Sequence, residues 1–198
     1  IVFSASGLTL NLPNFPAATG TTLATVRATD SNCNGTFSGN RSLRFFTAYT
    51  NPNSGTQASS INGTAISTSA ASPTTLTLNF VNGLATFSLN YADVGRLTLD
   101  ATDALTSTRG NGQFVAYPAG FVLSAIQRSS DSLQNPGAAN AAGAKFVMAG
   151  ENFSATVRAT NSLGNTTPNF GRETPAESVR LGATLLADPD LINSPAVN

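Results

Sequence analysis

Three glutamates are the residues of this sequence whose chemistry could be catalytic, because two carboxylates facing each other across a cleft hydrolyse glycosidic bonds. Nothing in the spacing of Glu151, Glu173 and Glu177 sets two of them around a cleft, and the sequence has no tryptophan and only three tyrosines as platforms for sugars. The chain also has no histidine and a single cysteine, which excludes Ser-His-Asp and Cys-His catalysis and histidine metal ligands within it. We therefore expect a chain that is not an enzyme and needs no cofactor.

Three aspartates are the candidates for a metal site. Asp30, Asp100 and Asp103 fall at the ends of predicted strands, and the last two come just before a predicted linker. Ca²⁺ takes about six to eight oxygen ligands, so carboxylates at such a junction could bind calcium and stiffen it. No Asp-x-Asp-x-Asp-Gly loop is present. We therefore expect no metal, and favour isolated turn caps as the role of the three aspartates.

The charge of the chain excludes two classes of partner. Only 10% of its 198 residues are charged and the formal net charge is zero, whereas a soluble domain is typically about 25% charged. There is no basic stripe for nucleic acid, and no apolar run reaches the roughly 18 residues of a membrane span. Cys33 has no internal partner for a disulfide, so cysteine usage does not identify the compartment and the fate of this thiol stays open.

Apolar and polar residues alternate in short segments rich in Thr, Val, Leu and Phe, and no segment has helical periodicity. Period-two alternation places one face of a strand on a core and the other in water. The pattern therefore predicts an all-β chain built as an antiparallel, immunoglobulin-like sandwich. The predicted strands cover residues 8–12, 24–28, 76–80, 85–91 and 97–101.

Two turns have recognisable signatures. Asn82-Gly83 separates two strands and supplies the positive φ angles of a tight hairpin. Tyr91, Asp93 and Gly95 resemble a tyrosine corner, in which the phenol ties a loop back to a strand. In that interpretation Asp93 caps the turn and Gly95 takes a positive φ.

An internal repeat indicates two domains. Residues 24–31 read ATVRATDS and residues 155–162 read ATVRATNS, which differ only by Asp30 against Asn161. Such repeats indicate copies of one supersecondary plan. We expect tandem immunoglobulin-like sandwiches, the first over 1–105 and the second over 114–198, joined by the polar linker TSTRGNGQ at 106–113.

The second predicted sandwich is incomplete, because the strands that follow the motif in the first copy have no counterpart before residue 198. A half sandwich leaves an apolar face and unpaired strand edges exposed. Either the sequence is part of a longer chain, or a neighbouring molecule adds the missing strands. We favour the longer chain.

A family resemblance lies in FTAYTNPNSGT at 46–56 together with LTLNFVNGLATFSLNYADVGRLTLDATD at 76–103, and in GENFSATVRATNSLGNTTPNFGRET at 150–174. The first two resemble the C-terminal region of MshQ-like proteins, large Gram-negative surface proteins associated with mannose-sensitive haemagglutinin pili, and the third is similar to the segment that follows in that family. The turn at 91–95 also resembles bacterial immunoglobulin-like modules of invasin-type adhesins. The resemblance implies an exported, extracellular cell-surface protein linked to pili or adhesion, and it brings no catalytic residues.

These observations favour a structural or stalk segment of such a surface protein, with other copies of itself or pilus components as partners. One alternative is a self-assembling filament subunit that is completed by a neighbour's strands. Another is an adhesin module that binds a glycan or host surface through the polar loop at 50–63. The candidate binding residues of that loop are Asn51, Asn53, Ser54 and Gln57.

Overall fold

A computed structural model describes residues 7–20, 22–30, 38–139 and 142–182. All regular secondary-structure elements in these ranges are β-strands. The chain is therefore all-β, as predicted. The strands are β1 (Gly7–Asn11), β2 (Phe15–Pro16), β3 (Thr22–Thr29), β4 (Gly39–Asn51), β5 (Ser60–Ile61), β6 (Thr64–Ala65), β7 (Thr74–Phe80), β8 (Leu84–Asn90), β9 (Gly95–Asp103), β10 (Arg109–Tyr117), β11 (Gly120–Arg128) and β12 (Phe153–Thr160). Cys33 lies outside the described residues.

Ten strands form two five-stranded sheets, sheet A in the order β1-β3-β8-β5-β6 and sheet B in the order β2-β10-β9-β4-β7. Their alternating apolar side chains face each other, and the five predicted strands are confirmed as β1, β3, β7, β8 and β9. Phe45 of β4 packs against Phe87 of β8 with ring centroids 6.1 Å apart, and Phe15 stacks on Phe114 at 5.5 Å. This sandwich belongs to a compact unit made of residues 1–121 and 159–177.

The hairpin between β7 and β8 turns at Asn82-Gly83, whose φ angles are 49° and 76°. Val81 and Leu84 exchange two backbone hydrogen bonds across it, with N···O distances of 2.8 and 3.0 Å. Positive φ at both central positions is the geometry that Asn-Gly favours, because its twist matches that of the flanking strands.

The structure differs from the predicted linker at 106–113, because residues 109–113 lie in β10, which pairs with β9 from Arg109 to Ala116. Positions 110 and 112 require glycine because β1 passes close to both. A Cβ on Gly110 would collide with the backbone carbonyl of Leu8, and one on Gly112 would lie 3.1 Å from the Cβ of Leu10. The first sandwich thus continues past its predicted end at 105, and a second sandwich within 114–198 stays a prediction.

A second compact unit contains residues 122–158 and 178–198. β11 and β12 form a two-stranded sheet, and the first six residues of each repeat copy lie in a strand, 24–29 in β3 and 155–160 in β12. Next to it, Arg128 donates to both carboxylate oxygens of Asp131 at 2.9 and 2.7 Å. Residues 178–182 lie in no strand. In the described part of the chain there is no helix long and apolar enough to span a membrane.

Candidate functional site

The candidate site lies where residues 159–177, the docking segment, return to one end of the first sandwich. Two backbone hydrogen bonds fix where the segment begins: Ala119 donates to the carbonyl of Thr160 and Ser162 donates to the carbonyl of Ala17, both at 2.8 Å. Phe170 of the segment packs edge-on against Phe121, with ring centroids 5.3 Å apart. The segment therefore belongs to the same compact unit as the two sheets.

Asn169 is the centre of this contact and is only 1% exposed. Its Nδ2 donates to the hydroxyl of Tyr91 and to the carbonyl of Val94, both at 3.3 Å, and its backbone N–H donates to Oδ1 of Asp93 at 3.1 Å. Its own Oδ1 accepts from Arg172 at 3.3 Å. Both polar groups of the side chain are thus hydrogen-bonded, and its Nδ2 and the backbone N–H of Asn169 hold the loop between β8 and β9.

The tyrosine-corner residues are therefore tied to a distant part of the chain. Tyr91 lies 78 positions before Asn169, so its phenol bonds to the docking segment and not to a local loop. Asp93 accepts from the Val94 N–H at 2.8 Å, and Gly95 has a φ of 137°. A Cβ on Gly95 would lie 2.9 Å from the carbonyl oxygen of Asn51, so both conformation and space require glycine there.

Burial controls the electrostatics of the corner. The Asp93 side chain is fully buried, and this burial raises its pKa, although hydrogen bonds from the Val94 and Asn169 amides and the charge of Arg172 act in the opposite direction. Burial and the nearby Asp93 charge also raise the pKa of Tyr91. Both side chains are buried and hydrogen-bonded, so they stabilise this corner of the structure.

The raised pKa of Asp93 predicts a pH effect on stability. A carboxyl that binds its proton more tightly when folded contributes stability below its ordinary pKa near 4 and loses it as the pH rises through the folded value. Asp93→Asn keeps an oxygen for the two amide donors and removes the charge. The variant should therefore gain stability relative to the wild type on going from about pH 3 to pH 7, measured by urea unfolding. An unchanged difference between the two proteins would refute the assignment.

The predicted binding loop is held by the docking segment. Asn51 accepts from the Thr174 N–H at 2.8 Å and donates to its carbonyl at 3.3 Å. Ser54 accepts from Arg172 at 3.3 Å, and the carbonyl of Gln57 accepts from the hydroxyl of Tyr49 at 2.5 Å. Asn53 is exposed. Ligand binding by Asn51, Asn53, Ser54 and Gln57 stays a prediction.

Two of the three glutamates reach one cleft of about 290 Å³, and Arg96, Tyr117 and Phe170 also line it. Glu173 accepts from the Gly171 N–H at 2.7 Å and so stabilises its own turn. Glu177 lines the same cleft, whereas Glu151 belongs to the other compact unit.

The calcium candidates are not brought together. Asp100 and Asp103 are three residues apart in β9, and successive side chains of a strand point to opposite faces. Asp103 accepts from Arg41 at 2.9 Å and from the Leu105 N–H at 2.8 Å, so it caps the turn after β9. Asp30 follows β3 in the other sheet. No group of three metal-ligating His, Cys, Asp or Glu side chains occurs among the residues described.

Two asparagines of the docking segment were not singled out from the sequence. Asn161, which occupies the Asp30 position of the repeat, donates to the carbonyl of Ala92 at 2.9 Å. Asn169 lies in the distinctive PNFG stretch. The sequence draws attention to Asn161 through the Asp-to-Asn exchange in the repeat, and to Asn169 through the PNFG stretch. A single sequence contains no signal that both residues contact the loop at residues 91–94.

Comparisons with known families agree with the sandwich. Residues 1–117 match a family described as "Domain of unknown function (DUF6701), first Ig-like domain", and residues 117–195 match the second domain of DUF6701. Neither description mentions MshQ-like proteins, pili or adhesion. No curated protein matches the chain. The docking segment at 159–177 thus falls within the part of the sequence that matches the second family domain, but its contacts place it in the first compact unit.

Proposed function

Because the chain belongs to the DUF6701 family, of which it spans the Ig-like first domain and the second domain, we propose that it is a non-enzymatic structural segment of a bacterial surface protein. It acts as a stalk that carries other parts of its parent protein away from the cell. Its place is extracellular, on a Gram-negative cell, and its parent is a pilus-associated protein of the MshQ-like type. Other copies of itself or pilus components are its partners.

The use of polar side chains for internal support is the observation that carries the proposal. Tyr91, Asp93 and Asn169 are each at most 1% exposed and bond to one another or to nearby backbone. A buried polar network of this kind favours one arrangement of the chain, because each broken hydrogen bond leaves a costly unpaired group. A stalk needs such a fixed arrangement, whereas an active site needs polar groups that a substrate reaches.

The sparse charge supports an extracellular place. Stability that depends little on ion pairs changes little with ionic strength, and only 10% of the residues are charged. Lys145 is the single lysine, which leaves few sites for proteases that cleave after lysine.

Immunogold labelling of intact, unfixed cells that make the parent protein tests this function. An antibody against the segment should place gold on the outer cell surface or at filament tips. Gold that appears only after the cells are permeabilised would contradict the proposal.

One observation favours a filament subunit as the second candidate. β3 pairs with β1 on one side and β8 on the other, whereas β11 is the one partner strand of the matching motif in β12 within the described ranges, and only its end also bridges Thr166. A strand from a neighbouring copy could fill the equivalent of the β8 position by β-augmentation. Gold repeating along filaments would favour this candidate. A chain that sediments as a monomer at high concentration would oppose it.

A further inference from the structure

The outward face of sheet B carries a pair of arginines in one cross-strand row. Arg44 of β4 and Arg109 of β10 both pair in register with Thr102 of the central strand β9. In the next outward row, Phe46 of β4 pairs with Asp100 of β9. Side chains of one face repeat every two residues along each strand, so these five residues share the face.

These five side chains, with Ala70 and Pro73, line a pocket of about 210 Å³. Arg44 and Arg109 are exposed, and Phe46, Asp100 and Thr102 are half-buried. One N–H of Arg44 donates to the carbonyl of Ala104 at 3.1 Å, which orients the guanidinium and leaves its other donors available. In the described part of the chain, no carboxylate lies within ion-pair distance of Arg44 or Arg109.

The charge of this pocket differs from that of the chain. Two guanidinium groups and one carboxylate leave one net positive charge in the pocket, whereas the whole chain has a formal net charge of zero. Guanidinium groups bind carboxylates through paired, charge-assisted hydrogen bonds. An aromatic side chain beside them offers an apolar surface to the C–H face of a sugar ring.

We propose that this pocket binds an acidic sugar, whose carboxylate lies between Arg44 and Arg109. Thr102 lies between the arginines and hydrogen-bonds the same group. The sugar ring packs on Phe46, and Asp100 accepts a hydrogen bond from a ring hydroxyl. The small pocket takes one terminal sugar, which belongs to a free monosaccharide or to the end of an acidic glycan. This site is separate from the loop at 50–63 and from the stalk function, so its failure would leave the stalk function standing.

Titration of the full chain with glucuronate, followed by backbone amide chemical shifts, tests the proposal, and glucose serves as the uncharged control ligand. Glucuronate should give saturable shifts in the millimolar range at Phe46, Asp100 and Thr102, and glucose should bind at least about tenfold more weakly, because it lacks the charged partner. Added salt should weaken the glucuronate shifts. Equal binding of both sugars, or no saturable shift at these amides, would overturn the proposal without any variant.

Matched variants locate the site. Arg44→Gln and Arg109→Gln should each weaken glucuronate binding about tenfold, while Arg27→Gln removes an exposed arginine of β3 in sheet A and should leave it unchanged. Equal loss in all three variants would refute the site and indicate non-specific attraction. A glycan array then separates the two sources: binding of acidic glycans with the same dependence on Arg44 and Arg109 assigns a glycan end, and binding of the monosaccharide alone assigns a free sugar.

Discussion

Asn169→Ala is expected to lower the free energy of unfolding of the first compact unit by about 2–4 kcal/mol. The substitution removes two donated hydrogen bonds, to the hydroxyl of Tyr91 and the carbonyl of Val94, and leaves buried groups without a partner. It also removes the acceptor of Arg172. Because these contacts join residues about 75 positions apart, the loss should loosen the docking segment. Urea unfolding followed by tyrosine fluorescence measures the change.

Asn165→Ala is the matched control for this prediction. Asn165 lies in the same segment and is exposed. Surface substitutions of this kind usually change stability by less than about 0.5 kcal/mol. If both variants lost the same stability, the buried hydrogen bonds of Asn169 would not hold the segment in place.

Gly110→Ala is the second substitution with a large expected effect, a loss of about 3 kcal/mol. A Cβ at this position would collide with the backbone carbonyl of Leu8 and lie 2.8 Å from its Cβ. Because backbone atoms cannot turn away as a flexible side chain can, β1 or β10 would have to move. Calorimetric melting of the full chain measures the loss.

Gly7→Ala makes the same change in β1 at a position where a Cβ meets no atom within 4 Å. It should leave the melting temperature close to that of the wild type or raise it slightly, because alanine restricts the unfolded chain. A Gly110→Ala protein as stable as Gly7→Ala would show that β1 and β10 do not pack as closely as the structure indicates.

The strands could be predicted because one periodic signal specifies each of them. In β8, Ala85, Phe87 and Leu89 alternate with polar residues, and the structure buries these three. The end of the first sandwich could not be predicted, because Gly110 and Gly112 have the composition of a flexible linker. Glycine is needed at these two positions because β1, about 100 residues earlier in the chain, passes close to them. Local composition does not encode this long-range contact.

Of the candidate site, only the residues that are close together in the sequence could be predicted. Tyr91, Asp93 and Gly95 formed a recognisable turn signature, and the structure places the turn there. Their long-range partner Asn169 was not predicted, because asparagine is frequent in this sequence and its type does not reveal burial. The repeat predicts a second sandwich, which stays a prediction, and it gives no sign that residues 159–177 belong to the compact unit of the first.

Labelling of Lys145 on intact cells tests most directly whether this chain is an external structural segment. Lys145 is the only lysine of the sequence and its side chain is exposed. A membrane-impermeant amine reagent, followed by mass spectrometry of the peptide that contains Lys145, reports which side of the outer membrane it occupies. If the segment lies outside the cell, Lys145 should be modified to the same extent on intact and permeabilised cells, while a periplasmic control protein reacts only after permeabilisation. Modification of Lys145 that also requires permeabilisation would contradict an external location.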